Sequence, residues 1–248
     1  MAPPPSRLVI MIPTYNEGGT IEELIREILA LPLECDLAVL VVDDDSPDGT
    51  AGRVAEIRRH DPRVHILVRE EARGRGLAGR EGFRHALGLG ADFIIEMDGD
   101  GSHQPGHIPS LLERTREYDV VLGSRFVPGG KDADRPLARR LITLLVRRFI
   151  RRLFHIPVND VSSGFRCFRR DVLEKVDPAS LVSAGPSIVL EVLYKAYRLG
   201  FAIGEAPIVF VDRKKGRTKL TGLILWKTLV MALRIKRMYR PLEPPVRT

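Results

Sequence analysis

Asp98 and Asp100 stand two positions apart, with glycines at 99 and 101, in the run Glu96-Met97-Asp98-Gly99-Asp100-Gly101-Ser102-His103. Two carboxylates that close repel each other and raise one pKa unless a cation lies between them. Hard divalent ions such as Mg2+ or Mn2+ take oxygen ligands and are commonly held by one or two carboxylates plus substrate phosphates. An isolated Asp-x-Asp is as compatible with a turn, because Asp-Gly favours turns and Asx residues cap helices. The apolar segment just upstream, residues 93–97, puts the pair at a strand end and favours the metal.

Two other strand ends carry unusual polar residues. Pro13-Thr14-Tyr15-Asn16-Glu17 follows the apolar run 8–12, and Asp43-Asp44-Asp45-Ser46-Pro47-Asp48-Gly49-Thr50 follows the run 37–42. Ser46 to Thr50 supplies a turn and a helix cap, but three successive acids exceed what capping needs. An acid at the end of a second strand is well placed to accept hydrogen bonds from a ribose or base. Tyr15 and Glu17 would then line a base pocket, although the same loop also fits a tight turn. Gly74-Arg75-Gly76-Leu77-Ala78-Gly79 matches the G-x-G-x-x-G dinucleotide pattern and opens a helix. It follows the third strand, and the first strand has no glycine-rich turn. It therefore reads as a flexible loop that lets backbone approach a nucleotide, not as a nicotinamide site.

The elements that must position these loops alternate. Strands are expected at 8–12, 37–42, 64–68, 93–97 and 120–122. Helices are expected at about 20–31, from near 48, at 79–89 and at 108–117. Apolar runs without polar alternation suit a parallel sheet buried on both faces. The expected fold class is therefore α/β, a mostly parallel open sheet with helices on both faces and ligands at the carboxyl ends of its strands.

The chain has 248 residues, 44% hydrophobic and 29% charged, as expected of a globular protein with a sizeable core. Cys35 and Cys167 read as free thiols in a reducing compartment. The start, Met-Ala-Pro-Pro-Pro-Ser, does not look like a signal peptide.

The net charge of +7 is unevenly spread. Residues 137–152 carry six arginines and no acid, and residues 213–248 carry eleven Lys/Arg against Glu243 alone, which leaves −9 on the rest. Such asymmetry points to a polyanionic partner: nucleic acid, an anionic membrane surface or a phosphorylated ligand. Aromatic content of 6% and the lack of a recognised binding motif argue against nucleic acid. At 100° per residue, Arg140, Arg147, Arg148, Arg151 and Arg152 share one helix face, and Ile142, Val146, Phe149, Ile150 and Leu153 share the other. That pattern fits a surface helix over the core or an interfacial helix on an anionic membrane. The apolar run 223–233 is too short to span a bilayer. The expectation is a catalytic domain over 1–215 with an amphipathic basic helix near 137–154, then a basic amphipathic segment over 216–248. No transmembrane helix is expected, and the location is cytoplasmic and peripheral to the membrane.

Five segments occur together in order. They are 9–17 with 41–50; 96–103; Gly123-Ser124-Arg125-Phe126-Val127-Pro128-Gly129-Gly130; Ser163-Gly164-Phe165-Arg166; and Phe210-Val211-Asp212-Arg213 with Arg217-Thr218-Lys219-Leu220. Over about residues 7–222 the chain resembles the dolichol-phosphate (polyprenol-phosphate) mannose synthases of glycosyltransferase family 2.

That resemblance implies a GT-A fold, GDP-mannose as donor, polyprenyl or dolichyl phosphate as acceptor and Mg2+ or Mn2+ as cofactor. It puts Pro13, Tyr15, Glu17, Val42, Asp44, Asp98, Gly99, Arg213 and Lys219 around the nucleotide-sugar. Asp98 and Asp100 fall on the metal, and Ser102 stands where some relatives carry a glutamine ligand. Arg125 and Arg139 fall on the acceptor phosphate, and Asp98, Asp100, Arg125 and Arg213 form the catalytic set. It also leaves room for a small membrane-embedded protein partner. Two departures stand out. Gly185-Pro186-Ser187-Ile188-Val189-Leu190 precedes Glu191 where Tyr-x-Phe-Gln is common, and Thr218-Lys219-Leu220-Thr221 replaces Ser-Lys-Leu-Ser. The first keeps glucose or another hexose open as the sugar.

The implied reaction is an inverting displacement by a lipid phosphate. A phosphate monoester is largely ionised near neutral pH, with a second pKa of about 6, so no dedicated general base is needed. A metal-dependent nucleotidyltransferase would need a basic loop beside the first strand, which residues 13–17 lack. A non-catalytic nucleotide-binding module would have no use for both the acids and the distant arginines.

Overall fold

The computed structural model describes residues 6–133, 137–211 and 222–240, of which 133, 137–143 and 222–228 are described as backbone alone. The first half winds as the apolar periodicity predicts: β1 (Arg7–Thr14), α1 (Ile21–Leu29), β2 (Asp36–Asp43), α2 (Thr50–His60), β3 (Val64–Val68), α3 (Arg75–Gly88) and β4 (Phe93–Glu96). A 3-10 turn at Pro105–His107 leads into α4 (Ile108–Arg114) and β5 (Val120–Ser124). Then follow β6 (Lys131–Ala133), α5 (Leu137–Phe154), β7 (Arg166–Arg169), α6 (Arg170–Val176), α7 (Ile188–Arg198), β8 (Ile203–Pro207), β9 (Val209–Val211) and α8 (Gly222–Tyr239).

Among the described residues, seven strands form one sheet in the order β3-β2-β1-β4-β7-β5-β8. All neighbours run parallel except β7, which is antiparallel to both β4 and β5. A small parallel pair, β6 with β9, stands apart from it. Side chains of β1 alternate between the faces: Leu8, Ile10 and Ile12 join one buried cluster, Val9 and Met11 the other. On the first face α1 buries Ile21, Leu24, Ile25 and Ile28, each worth about 1.5–3 kcal/mol when fully buried. On the second face α3 and α7 pack, with Phe83 meeting Phe168 edge-on at 5.6 Å. This is the GT-A-like α/β arrangement, with β1, β2 and β4 adjacent and their carboxyl ends at one edge.

Two helices carry apolar and basic side chains together on their outward sides. In α5, Ile150 and Phe154 turn to the core, and Phe154 meets Tyr194 at 4.6 Å. Leu145, Val146 and Phe149 consequently stay 60%, 38% and 45% exposed, beside the exposed Arg148 and Arg152. The apolar stripe read from the sequence is thus split between core and surface. In α8, Ala232, Ile235 and Tyr239 join the core, while Val230, Leu233 and Met238 face outward near Arg234 and Arg237. No helix among the described residues is long and apolar enough to cross a membrane.

Candidate active site

The parallel pairing of β1 with β4 brings their terminal loops side by side. A Cβ on Gly99 would lie 2.9 Å from Thr14 Cγ2 and 3.3 Å from Ile12 Cγ2, so only glycine lets the loop after β4 pass this close to β1. Thr20 Oγ1, at the start of α1, donates to the Gly99 carbonyl at 2.8 Å and ties the loop down. Asp100 is 8% exposed, and its Oδ1 accepts from the Ser102 N–H at 2.9 Å, closing a turn through Gly101 at φ +75°. Asp98 keeps its carboxylate toward the cleft, while its N–H donates to Nδ1 of His103 at 3.0 Å. His103 is buried and stacks on Phe165 at 5.0 Å. Burial holds its imidazole below the ordinary pKa, against the upward pull of Asp98 and Asp100.

A cleft of about 160 Å³ is lined by Pro13, Thr14, Tyr15, Glu17, Arg75, Asp98, Gly99 and Asp100. Most of the residues expected around a nucleotide-sugar therefore meet in one place. The loop 13–20 is laced to the loop 43–50 by short bonds. Thr14 Oγ1 donates to Asp43 Oδ1 at 2.8 Å, the Asn16 N–H to Ser46 Oγ at 2.9 Å, and the Gly18 N–H to Asp48 Oδ2 at 2.8 Å. The acids of the second strand are each paired within the protein. Asp43 also accepts from the Ser46 N–H and Oγ; Asp44 accepts from Arg69 and from the Gly74 N–H; Asp45 accepts from Arg73 at 3.0 Å. The excess over capping that the sequence displays is thus matched by arginines after β3. Val42 is fully buried in the core, so it presents backbone, not side chain, at the strand end. Tyr15 is 40% exposed, with the Arg73 guanidinium 5.3 Å from its ring centre.

The donor set fits a hard divalent ion. Asp98 and Asp100 line the same cleft, and the neighbouring Ser102 Oγ is buried with no hydrogen-bond partner among the described residues. A buried hydroxyl left without a partner costs about 1–3 kcal/mol, which a ligand or ion contact would recover. Among the described residues no group of three or more His, Cys, Asp or Glu converges on one point. Two carboxylates then need further oxygens from elsewhere, as expected for an ion completed by substrate phosphates.

Three charged residues around the site have partners that the sequence does not show. Arg75 was visible only as part of a glycine-rich run, yet its Nη2 donates to Glu96 Oε1 at 2.7 Å and lies 3.5 Å from Asp98 Oδ1. Beneath it Arg166 is fully buried, donating to the carbonyls of Val161, Ser163 and Val189. Burial lowers its pKa to about 10. Glu191, 0% exposed, accepts from the N–H groups of Val182 and Ser183 at 2.9 and 2.8 Å. It thereby holds the loop against which Gly74 and Gly76 close. A Cβ on Gly76 would fall 2.1 Å from the Ser183 carbonyl oxygen, and the Gly76 N–H donates to Ala184 O at 2.9 Å. The flexible-loop reading of Gly74–Gly79 gives way to a clamped first turn of α3.

Arg125 stands at the end of β5, 8% exposed, with Nε and Nη2 donating to the two oxygens of Asp160 at 2.7 and 2.8 Å. Burial works against both charges, but the pairing outweighs it, raising the Arg125 pKa and lowering that of Asp160. Nε and Nη2 are therefore engaged by a carboxylate. The Arg139 side chain, Arg213 and Lys219 lie outside the described residues, as does the Thr218–Thr221 segment. A larger groove of about 570 Å³ between α1 and α2 shares no residue with the cleft and is edged by the ion pairs of Glu22 with Arg26 and Arg53.

Residues 9–177 match the Glycosyl transferase family 2 profile. The chain is 39% identical over 228 residues to the undecaprenyl-phosphate mannosyltransferase of Micrococcus luteus, covering 92% of this chain and 93% of the relative. It is 36% identical over 222 residues to the polyprenol monophosphomannose synthase of Mycolicibacterium smegmatis, covering 88% and 83%. In fold it is similar to a mannosyltransferase from Pyrobaculum calidifontis solved with GDP-mannose and Mn2+, with a TM-score of 0.64 at 20% identity, covering 98% and 67%.

Proposed function

The chain belongs to glycosyl transferase family 2, and within that family we propose that it transfers mannose from GDP-mannose to a polyprenyl phosphate at a membrane surface. The observation that carries this reading is the cleft itself. Asp98 and Asp100 line it directly beside the loops of β1 that would hold a nucleotide, and the neighbouring Ser102 hydroxyl is buried with no hydrogen-bond partner among the described residues. The two relatives named for mannosyl transfer to a lipid phosphate, each matched over most of its length, support the sugar and the acceptor. GDP as the nucleotide is supported by the family resemblance.

Asp98 and Asp100, with Ser102, would hold Mg2+ or Mn2+ on the donor diphosphate. Such an ion supplies Lewis-acid neutralisation of the charge that grows on a leaving nucleotide. Pro13, Tyr15, Glu17 and Gly99 would flank the nucleotide. Asp44, closed on Arg69 and Gly74, would act by fixing the Gly74 turn beside it. The acceptor phosphate oxygen attacks the anomeric carbon from the face opposite the leaving group, so the configuration inverts and no side chain has to remove a proton. Arg139, Arg213 and Lys219 are the proposed phosphate contacts. Arg125, held by Asp160, would orient the end of β5 next to them.

The outward faces of α5 and α8 support a peripheral membrane role. Leu145 and Phe149 stand exposed beside Arg148 and Arg152, as do Leu233 and Met238 beside Arg234 and Arg237. Apolar side chains that enter the acyl boundary, with basic ones on the headgroups, are how an interfacial helix binds.

The test is a panel of nucleotide-sugars offered with undecaprenyl phosphate and Mn2+ or Mg2+. GDP-mannose is expected to give the dominant lipid-linked product. Dominant transfer from UDP-glucose or an amino-sugar donor would move the assignment to another hexosyltransferase. Nucleotide transfer without sugar transfer would refute it.

A further inference from the structure

Arg75 is a cation set permanently beside the proposed metal-holding carboxylate. Its Nη2 is shared between Glu96 Oε1 at 2.7 Å and Asp98 Oδ1 at 3.5 Å. Burial alone would lower its pKa, but Glu96 and Asp98 more than offset that and hold it above the ordinary value. The guanidinium has little room to withdraw. The turn that carries it is clamped through Gly74 and Gly76 onto Ala184, and a Cβ on Gly79 would lie 3.4 Å from its Nη1. Glu96, which stands 2% exposed at the end of β4, anchors it from below.

A fixed cation this close acts with opposite sign on the two ligands. A divalent ion arriving alone on Asp98 meets like charge a few ångströms away, in a partly buried site where such repulsion is weakly screened. A nucleoside diphosphate brings negative charge that the same guanidinium attracts. The guanidinium therefore disfavours the bare ion and favours the bare diphosphate, and the two effects offset each other once both are bound.

We propose that Arg75 sets the order of binding: it opposes the bare divalent ion at Asp98 and favours the diphosphate, so that the diphosphate enters first and the ion follows it. This rests on the reading of Asp98 and Asp100 as the metal-holding pair. Arg75 is a positioning residue for charge, distinct from the groups that would hold the ion.

The experiment is isothermal titration of the full chain with Mn2+ alone, with GDP alone in EDTA, and with Mn2+ in the presence of GDP. Wild type is compared with Arg75→Gln, Arg75→Ala and Arg75→Lys, each checked by thermal melting; the two neutral variants guard against one that packs badly. The neutral variants are expected to bind Mn2+ alone about tenfold more tightly and GDP alone about tenfold more weakly, so that the preference for the diphosphate as first ligand is lost. Arg75→Lys, which keeps the charge, is expected to stay near wild type. Damage to the fold would weaken both ligands and cannot produce changes of opposite sign. A neutral variant that binds Mn2+ no better than wild type overturns the inference, as does Arg75→Lys behaving like Arg75→Gln. Wild type that binds no Mn2+ even with GDP present overturns the inference and the metal reading together. Asp98→Asn serves as the control that loses Mn2+ whatever stands at 75.

Discussion

The Tyr239 hydroxyl donates to Oε1 of the buried Glu191 at 2.7 Å, which joins the last helix to the loop that seats the Gly74–Gly76 turn. Tyr239→Phe removes one of three bonds to a buried carboxylate, a loss of roughly 1–2 kcal/mol. Calorimetry should show a melting temperature lower by about 2–8 °C. An unchanged melting temperature would mean that α8 contributes nothing through this bond.

The Arg125–Asp160 pair is buried on both sides. Removing one partner of such a pair leaves an uncompensated charge, at a cost of about 3–5 kcal/mol. Asp160→Ala should therefore melt roughly 6–20 °C below wild type. If it melts normally but loses turnover, Arg125 serves chemistry and not architecture.

His107 Nε2 accepts from the Val209 N–H at 3.1 Å and so holds the segment entering β9. Burial lowers the His107 pKa from its ordinary 6.5. The unfolded chain then binds the proton more readily, so this contribution is complete above about pH 6.5 and is lost as the pH falls below it toward the folded pKa. An imidazolium has no lone pair to accept the Val209 N–H. The melting temperature should drop between pH 7.5 and 5.5, and drop less in His107→Gln. Equal drops in the two proteins would contradict the assignment.

Leu145 and Phe149 are among the exposed large apolar side chains. Replacing both by glutamate should leave the melting temperature within a degree or two, because exposed substitutions change stability by about 0.5 kcal/mol or less. The same double variant should float with anionic liposomes far less than wild type at low salt. Equal flotation would remove α5 from the membrane contact.

Much of the first half was legible because its physics is local. The runs 8–12 and 37–42 lack polar alternation, and both became central parallel strands whose ends hold the expected loops. The observed α3 begins at Arg75, four residues earlier than its apolar pattern suggests, because the glycines of its first turn are set by the distant Ser183 and Ala184. β7 was not legible. It is four residues long with arginines at both ends, and Arg166 can be buried only because carbonyls of Val161, Ser163 and Val189 converge on it. The role of Arg75 was hidden for the same reason: its partners, Glu96 and Asp98, lie 21 and 23 positions away along the chain. Single residues at strand ends announce chemistry, whereas the counter-ions that tune them come from elsewhere in the fold.

The measurement that bears most directly on the central claim is formation of lipid-linked mannose by purified protein. Wild type and Asp98→Asn would be given GDP-mannose, undecaprenyl phosphate and Mn2+, and the organic-phase product quantified. Wild type should form the product and Asp98→Asn should lose at least about a hundredfold in rate, the scale of losing one electrostatic stabiliser of a leaving group. Near-normal product from Asp98→Asn, or none from wild type, would contradict the account.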